Sequence, residues 1–253
     1  MRTIDLNSDM GEYESRDFLA REARLMPLIT SVNIACGVHA GHPELMRRTA
    51  RLATQHGVAI GAHPGFPQAG DFGRQDRRTS PEEVESLVSA QLKTLAEVLA
   101  SDQLTLSHVK LHGALYHLAA KDSVIADAVS HAVASFDQHL LLFALAGSAL
   151  VDSGRTAGLP VVQEAFADRA YRSDGTLVPR LESGAVLHSE QQVCRRLHDL
   201  LNGFVTSVDG HRVVLRSDSL CIHTDTPHAV EVAHLVRAEL QSTGVGIARP
   251  RAR

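Results

Sequence analysis

A chain of 253 residues with 44% hydrophobic content can bury a full core, and its length suits one large α/β domain. A net charge of −4 and a pI near 6.4 exclude a basic surface built for nucleic acid or anionic membrane. The longest apolar run, Leu140 to Leu145, falls far short of the roughly 20 residues of a membrane span, and Met1-Arg2-Thr3-Ile4-Asp5 lacks the apolar stretch of a signal peptide. The cysteines, Cys36, Cys194 and Cys221, are odd in number and lack CxxC spacing, so free thiols and a reducing cytoplasm are expected.

Thr3 to Asn7 alternates as a strand does, and Asp9 and Glu12 add carboxylates beyond it. A helix is predicted over 17–28, then a strand over Val32–Cys36. Pro43 to Gln55 carries an apolar stripe of Leu45, Met46, Ala50 and Ala53, and Gly57 stops that helix. Val58–Gly61 is a third strand. Residues 64–79 form a long loop rich in Gly, Pro, Asp and Arg, of the kind that often carries function. Ser80-Pro81-Glu82-Glu83 opens a helix with a capping hydroxyl, a proline in the first turn and carboxylates at the positive end of the dipole.

Leu104–Lys110 is the fourth strand. A helical stretch follows over 114–137, interrupted near Lys121-Asp122-Ser123. Leu140–Leu145 and Val161–Ala165 are strands, with a short helix, Ser148–Thr156, between them. Residues 166–189 are irregular. Glu190–Leu201 is helical, 206–215 reads as a hairpin around Asp209-Gly210, and Ser219–His223 is the last core strand. Thr226-Pro227 begins the final helix. Strands alternating with helices predict a parallel α/β architecture.

Four apolar runs end in a histidine followed closely by Gly or Pro: His39, His63, His112 and His223. Asp9, Lys110, Glu164 and Asp225 also stand at strand ends. An open sheet would use only the strands at its switch point, whereas a barrel gathers chemistry from the C-terminal end of every strand. We therefore expect a closed barrel with the four histidines converging at one end.

A lone histidine in such a place usually hydrogen-bonds a loop carbonyl, but a set of four is harder to explain so. Asp9, His39, His63 and His112 have the N and O donors of a zinc or manganese site, though no HxH or HExxH pair is present. The metal-free alternative gives Asp and Glu a general-base role, with His and Lys as acids or charge stabilisers. Arg74, after Asp71-Phe72-Gly73, suits a carboxylate grip, while Arg77 and Arg78 read as a solvated run. Asp168-Arg169 is either a structural ion pair or part of the site mouth. Cys36 reads as core packing. Neither GxxxxGK[ST] nor GxGxxG occurs, so a standard nucleotide cradle is absent.

Together the segments DLNSDMGE (5–12), NIACGVHAGHP (33–43), GAHPGFP (61–67), FGR (72–74), VKLHGALY (109–116), EAFADRAY (164–171), DGTLVPR (174–180) and CIHTDTPHAV (221–230) resemble the LamB/YcsF family. The resemblance implies a seven-stranded parallel β/α barrel, TIM-like and related to the deacetylase and glycoside hydrolase barrels, filling residues 1–253 as one domain. It implies ATP-dependent opening of the lactam 5-oxo-L-proline to L-glutamate with partner subunits B and C, and is compatible with a homo-oligomer. Among the residues of these motifs we expect Asp9, Lys110, His112 and Glu164 to be catalytic. Glu12, Asn33, His39, His63, Arg74, Asp168, Arg169, His223 and Asp225 are expected to be substrate-binding.

Three departures from the family pattern stand out. His42 replaces an Asp helix cap, a loss of roughly 1 kcal/mol. Leu111 replaces a proline, and Thr224 a glycine, restricting the backbone there. The other readings are a stand-alone metal-dependent deacetylase-like hydrolase and a non-catalytic lactam-binding subunit. Because Asp9 and Lys110 are expected near strand ends, Lys110→Ala is expected to spare the fold.

Overall fold

The computed structural model describes residues 2–67, 70–75, 77–180, 182–187, 189–225 and 228–250. Seven parallel strands close on themselves: β1 (Thr3–Met10), β2 (Ser31–Ala35), β3 (Ala59–His63), β4 (His108–Lys110), β5 (Leu141–Leu145), β6 (Val161–Phe166) and β9 (Ser219–Cys221), the last pairing back onto β1. A hairpin of β7 (Phe204–Thr206) and β8 (Arg212–Val214) stands apart, turning at Asp209-Gly210 as expected. A two-residue strand, β10 (Gly246–Ile247), lies along the start of β1.

The helices are α1 (Arg16–Leu25), α2 (Pro43–Gln55), α3 (Pro81–Ala100), α4 (Gly113–Lys121), α5 (Ser123–Phe136), α6 (Ala149–Thr156), α7 (Glu190–Leu201) and α8 (Ala229–Ser242). The predicted α2 and α7 match in both bounds. The interruption foreseen at Asp122 is real, its carboxylate capping α5 through Val124 N and Ile125 N. Ser80 and Glu83 form a full capping box on α3. The helix start predicted at Thr226-Pro227 lies outside the described residues.

Strand lengths differ from expectation for identifiable reasons. β1 runs three residues further, to Met10, because Ser8, Asp9 and Met10 pair with Val32, Asn33 and Ile34. β4 begins only at His108: Leu104 N is taken by Leu99 O, and Leu104 and Leu106 pack on the core as coil. At His42 the expected loss of a cap is corrected, since its Nδ1 accepts from Leu45 N at 3.5 Å. At Thr224 the expected backbone restriction brings no strain, because its φ is not positive, and its hydroxyl donates to Asp9 O at 2.8 Å.

Strand alternation divides the side chains between two environments. Ile4, Leu6, Val32, Ile34, Ile60, Ala62, Val109 and Leu220 join the main core under the helices. The other face points into the barrel and is polar: Asp5, Asn7 and Asp9 on β1, Asn33 on β2, His63 on β3, His108 and Lys110 on β4, Glu164 on β6. A small separate cluster of Leu141, Phe143 and Val162 fills part of that interior, with Phe143 packed on the His108 ring. Barrel interiors are ordinarily filled by bulky branched side chains, so a polar interior is the unusual feature here.

Gly61 lies beside His108 in the β3–β4 register, and a Cβ there would sit 2.1 Å from His108 Nε2. The ring has no free direction, being fixed to Asn33 and Phe143. Gly61→Ala should therefore cost roughly 1–3 kcal/mol by overpacking, read as a lowered denaturant midpoint. An unchanged midpoint would show that the ring can move aside.

Glu22 on α1 is buried and accepts Gly11 N at 2.8 Å. Burial pushes its carboxyl up to about 7. A raised folded-state value means that its stability contribution is complete below about pH 4.5 and lost as pH rises to about 7. Glu22→Gln should remove that slope and exceed the parent in stability at pH 8 by up to about 3 kcal/mol, the gap closing near pH 4.5. Parallel melting curves across that range check it.

Candidate functional site

Lys110 is the centre of the polar interior. Its Nζ lies 2.9 Å from Glu164 Oε1 and 3.0 Å from each of Asp9 Oδ1, Asn7 Oδ1 and Cys221 Sγ. The residue is 2% exposed, so its charge is met by protein groups and not by water. Burial alone would strip its proton, but Asp9, Cys221 and Glu164 hold the ammonium well above the usual lysine range. Burial likewise works against an ionised Asp9, yet His63 and Lys110 keep that carboxyl well below its ordinary value.

Asn7 organises this centre. Its amide nitrogen donates to Glu164 Oε1 and Ser219 Oγ, both at 2.8 Å, while its oxygen accepts from Asn33 Nδ2 and Lys110 Nζ. Asn33 also donates to Asp9 Oδ1 at 2.8 Å and takes the ring of His108 on its own oxygen. Tyr116 on α4 donates its hydroxyl to Glu164 Oε2 at 2.8 Å.

Beside this centre three histidines meet Glu12. His63 Nε2 lies 3.0 Å from His112 Nδ1 and 3.3 Å from Asp9 Oδ2. Glu12 Oε1 stands 3.4 Å from His39 Nε2, 3.5 Å from His112 Nδ1 and 3.9 Å from His63 Nε2. Glu12, His39, His63 and His112 thus form a cluster with the donors to hold a metal ion. Burial, with His63 nearby, pushes His39 and His112 down to about 3, whereas Asp9 and Glu12 outweigh burial and raise His63. His112 is held by the 64–79 loop: its Nε2 meets Phe72 O at 2.8 Å, and Phe72 adopts a φ of 58°, a left-handed conformation strained for an aromatic residue. Gly113 follows at φ 55°, and a Cβ there would stand 2.6 Å from Gly73 O, so glycine is required on both counts.

The expected convergence of His39, His63, His112 and His223 holds. His63, His112 and His223 line one cavity of about 290 Å³ at the C-terminal mouth of the barrel, and His39 stacks behind His112. Asp9, Glu12, Arg74, Lys110, Arg169 and Asp225 line the same cavity. Asn33, His39, Glu164 and Asp168 are buried behind it. Arg74 meets Asp225 Oδ2 at 3.1 Å, and Arg180 holds the other oxygen of the same carboxylate. Asp168 pairs with His223 Nδ1 at 2.8 Å rather than with Arg169, whose guanidinium reaches Val178 O and Ala185 O. Arg77 is tied to Pro67 O at 2.7 Å rather than freely solvated.

Sequence reading passed over Asn7, His108, Tyr116, Arg180 and Cys221. For two of them a signal existed: Asn7 precedes Asp9 by two residues and His108 precedes Lys110 by two, so each shares the inward face of its strand.

A closed parallel β/α barrel with charged and imidazole groups gathered at its strand ends is a TIM-like α/β barrel with a polar site at its C-terminal mouth. The chain belongs to the LamB/YcsF family, which it matches over residues 4–253. It is 47% identical over 251 residues to the A subunit of 5-oxoprolinase from Symbiobacterium thermophilum, covering 99% of this chain and 96% of that one. It is 42% identical to a solved lactam utilization protein from Thermus thermophilus, with a TM-score of 0.86 over 99% of this chain and 100% of that one. A β-1,4-mannanase at 11% identity shares the fold alone, with a TM-score of 0.51 over 96% of this chain and all of that one.

Removing Lys110 leaves Asp9 and Glu164 buried without their cation, a defect that typically costs about 3–5 kcal/mol. The burial of Lys110 thus argues against the expectation that Lys110→Ala spares the fold. Urea denaturation at neutral pH should show a loss of that size, and a loss below about 1 kcal/mol would mean that water replaces the ammonium.

Proposed function

We propose that this chain is the A subunit of an ATP-dependent 5-oxoprolinase, one domain over residues 1–253, which opens 5-oxo-L-proline to L-glutamate together with partner subunits B and C. The observation that carries this reading is the buried Lys110 ammonium between Asp9 and Glu164, facing a cavity of a size for a small ring. The names borne by the close relatives point to the same substrate.

A lactam resists water because its amide is resonance-stabilised. In this reading ATP phosphorylates the amide oxygen and ADP leaves; one water adds to the activated carbon and the C–N bond breaks to give the glutamyl acyl phosphate, and a second water releases phosphate to leave L-glutamate. The sequence carries no phosphate loop, so ATP comes with the partner subunits. Lys110 supplies positive charge where the amide oxygen or its phosphoryl group becomes negative. Asp9, kept ionised, takes the proton of the attacking water, and His63 and His112 stand within reach to relay it. Arg74 and Arg180, joined through Asp225, offer guanidinium groups to the substrate carboxylate. Glu164 acts from behind, fixing Lys110 and Tyr116.

The cytoplasm belongs to the same reading, since Cys36, Cys194 and Cys221 are free thiols. Among the described residues no helix is long and apolar enough to cross a membrane. The donors around Glu12 favour a second reading, a metal-dependent hydrolase that works without partners.

Assaying 5-oxoproline-dependent ATP hydrolysis with the chain alone, with B and C alone, and with all three decides between them. Turnover is expected only in the full mixture. Asp9→Asn should lower it at least ~100-fold per folded molecule, and near-normal turnover in that variant would end the catalytic assignment. Metal-dependent amide hydrolysis by the chain alone would favour the second reading.

A further inference from the structure

The hydrogen-bond accounting around His63 and His112 does not close. His63 Nδ1 lies 2.8 Å from Lys110 O and His112 Nε2 lies 2.8 Å from Phe72 O. A carbonyl only accepts, so each of those nitrogens carries the hydrogen, and once a ring gives up any second proton, as metal binding requires, its other nitrogen is a bare lone pair. Those two, His63 Nε2 and His112 Nδ1, face each other at 3.0 Å. Glu12 Oε1 joins them on a side chain 6% exposed and receives no hydrogen bond. A bridging proton would serve the two nitrogens and leave Glu12 Oε1 unsatisfied. A divalent cation serves all three.

The distances agree. Tetrahedral zinc with bonds of about 2.0–2.1 Å sets its donors about 3.3 Å apart. The three pairs here are separated by 3.0, 3.5 and 3.9 Å. The His63 and His112 rings stand at 85° to each other, so their in-plane lone pairs can converge on one point. Each ring already gives its far N–H to a main-chain carbonyl, the support that metal-bound histidines usually have.

His39 does not complete the set, although its Nε2 is 3.4 Å from Glu12. Its ring lies parallel to His112, at 2° with centroids 3.8 Å apart. An ion in the plane of His112 is therefore out of the plane of His39, where that ring has no lone pair. Asp9 Oδ2 lies 3.3 Å from His63 Nε2, but Asp9 does not fall in the cluster of donors that Glu12 and His112 form with His63, and its Oδ1 is engaged by Lys110 and Asn33. The cavity is lined by Glu12, His63 and His112.

We infer that Glu12 Oε1, His63 Nε2 and His112 Nδ1 bind one divalent transition-metal ion of the zinc class, with a remaining coordination position open to the cavity. Three protein ligands and an open position are the pattern of catalytic rather than structural zinc. The ligand set differs from the sequence expectation in exchanging Asp9 and His39 for Glu12. It holds whether or not the chain opens a lactam.

The test uses the full chain stripped with a chelator and loaded separately with Zn²⁺ and Co²⁺. Metal analysis after gel filtration should find one ion per chain, and the Co²⁺ form should show visible absorption that thiocyanate perturbs through the open position. Loss of an outer partner typically weakens a metal site 10–100-fold, so Glu12→Gln, His63→Ala and His112→Ala should each weaken it about 100-fold or more. His39→Phe keeps the stacked ring and should stay within about tenfold of the parent. Glu12→Gln is nearly isosteric, and melting in chelator confirms that each variant is folded. No retained ion, unchanged affinity in Glu12→Gln, or a loss in His39→Phe equal to that in His112→Ala would each overturn the assignment. None of these measurements involves oxoproline turnover, so either proposal can fail alone.

Discussion

The barrel depends on one buried cation. Lys110 reaches into the middle of seven strands and meets Asp9 from β1, Glu164 from β6 and Cys221 from β9. Charges removed from water are tolerated only when their partners are close and fully hydrogen-bonded. Asn7 meets that condition by using all its donors and acceptors at once, on Glu164, Ser219, Asn33 and Lys110. The strand register follows, because a slip of one residue would turn these groups toward the apolar helix layer.

That network also sets the electrostatics of the cavity. The ammonium and the raised His63 keep Asp9 ionised in a place where burial alone would neutralise it. Below it, Asp5 is pushed up to about 6 by burial despite hydrogen bonds from Ser219, Thr30 and Ser31. Two carboxylates on one strand, four residues apart, are thus pushed in opposite directions by their surroundings.

The loops act on the same centre from outside. Phe72 accepts a left-handed backbone and gives its carbonyl to His112, while its ring stacks on Tyr13 and lies under Arg74. The strain is located where it orients a ring of the site, and the surrounding aromatic packing holds it in place.

Much of this was legible in the sequence. The α2 and α7 helices, with their apolar stripes, rest on local rules and emerged with the right bounds, and the hairpin turns at Asp209-Gly210 although its strands, Phe204–Thr206 and Arg212–Val214, differ from the span read. Histidines after apolar runs marked the mouth of the barrel because turns at strand ends must be built from Gly and Pro. The alternation in β1 and β4 already put Asn7 with Asp9 and His108 with Lys110 on shared faces. What only the tertiary structure decided was which groups touch across the barrel. That Lys110 is buried, that Asp168 takes His223 instead of Arg169, and that Glu12 gathers with His39, His63 and His112 all depend on distances between residues that lie far apart in the chain. Local propensity constrains each segment separately, and those pairings exist only once seven strands have closed and fixed their register.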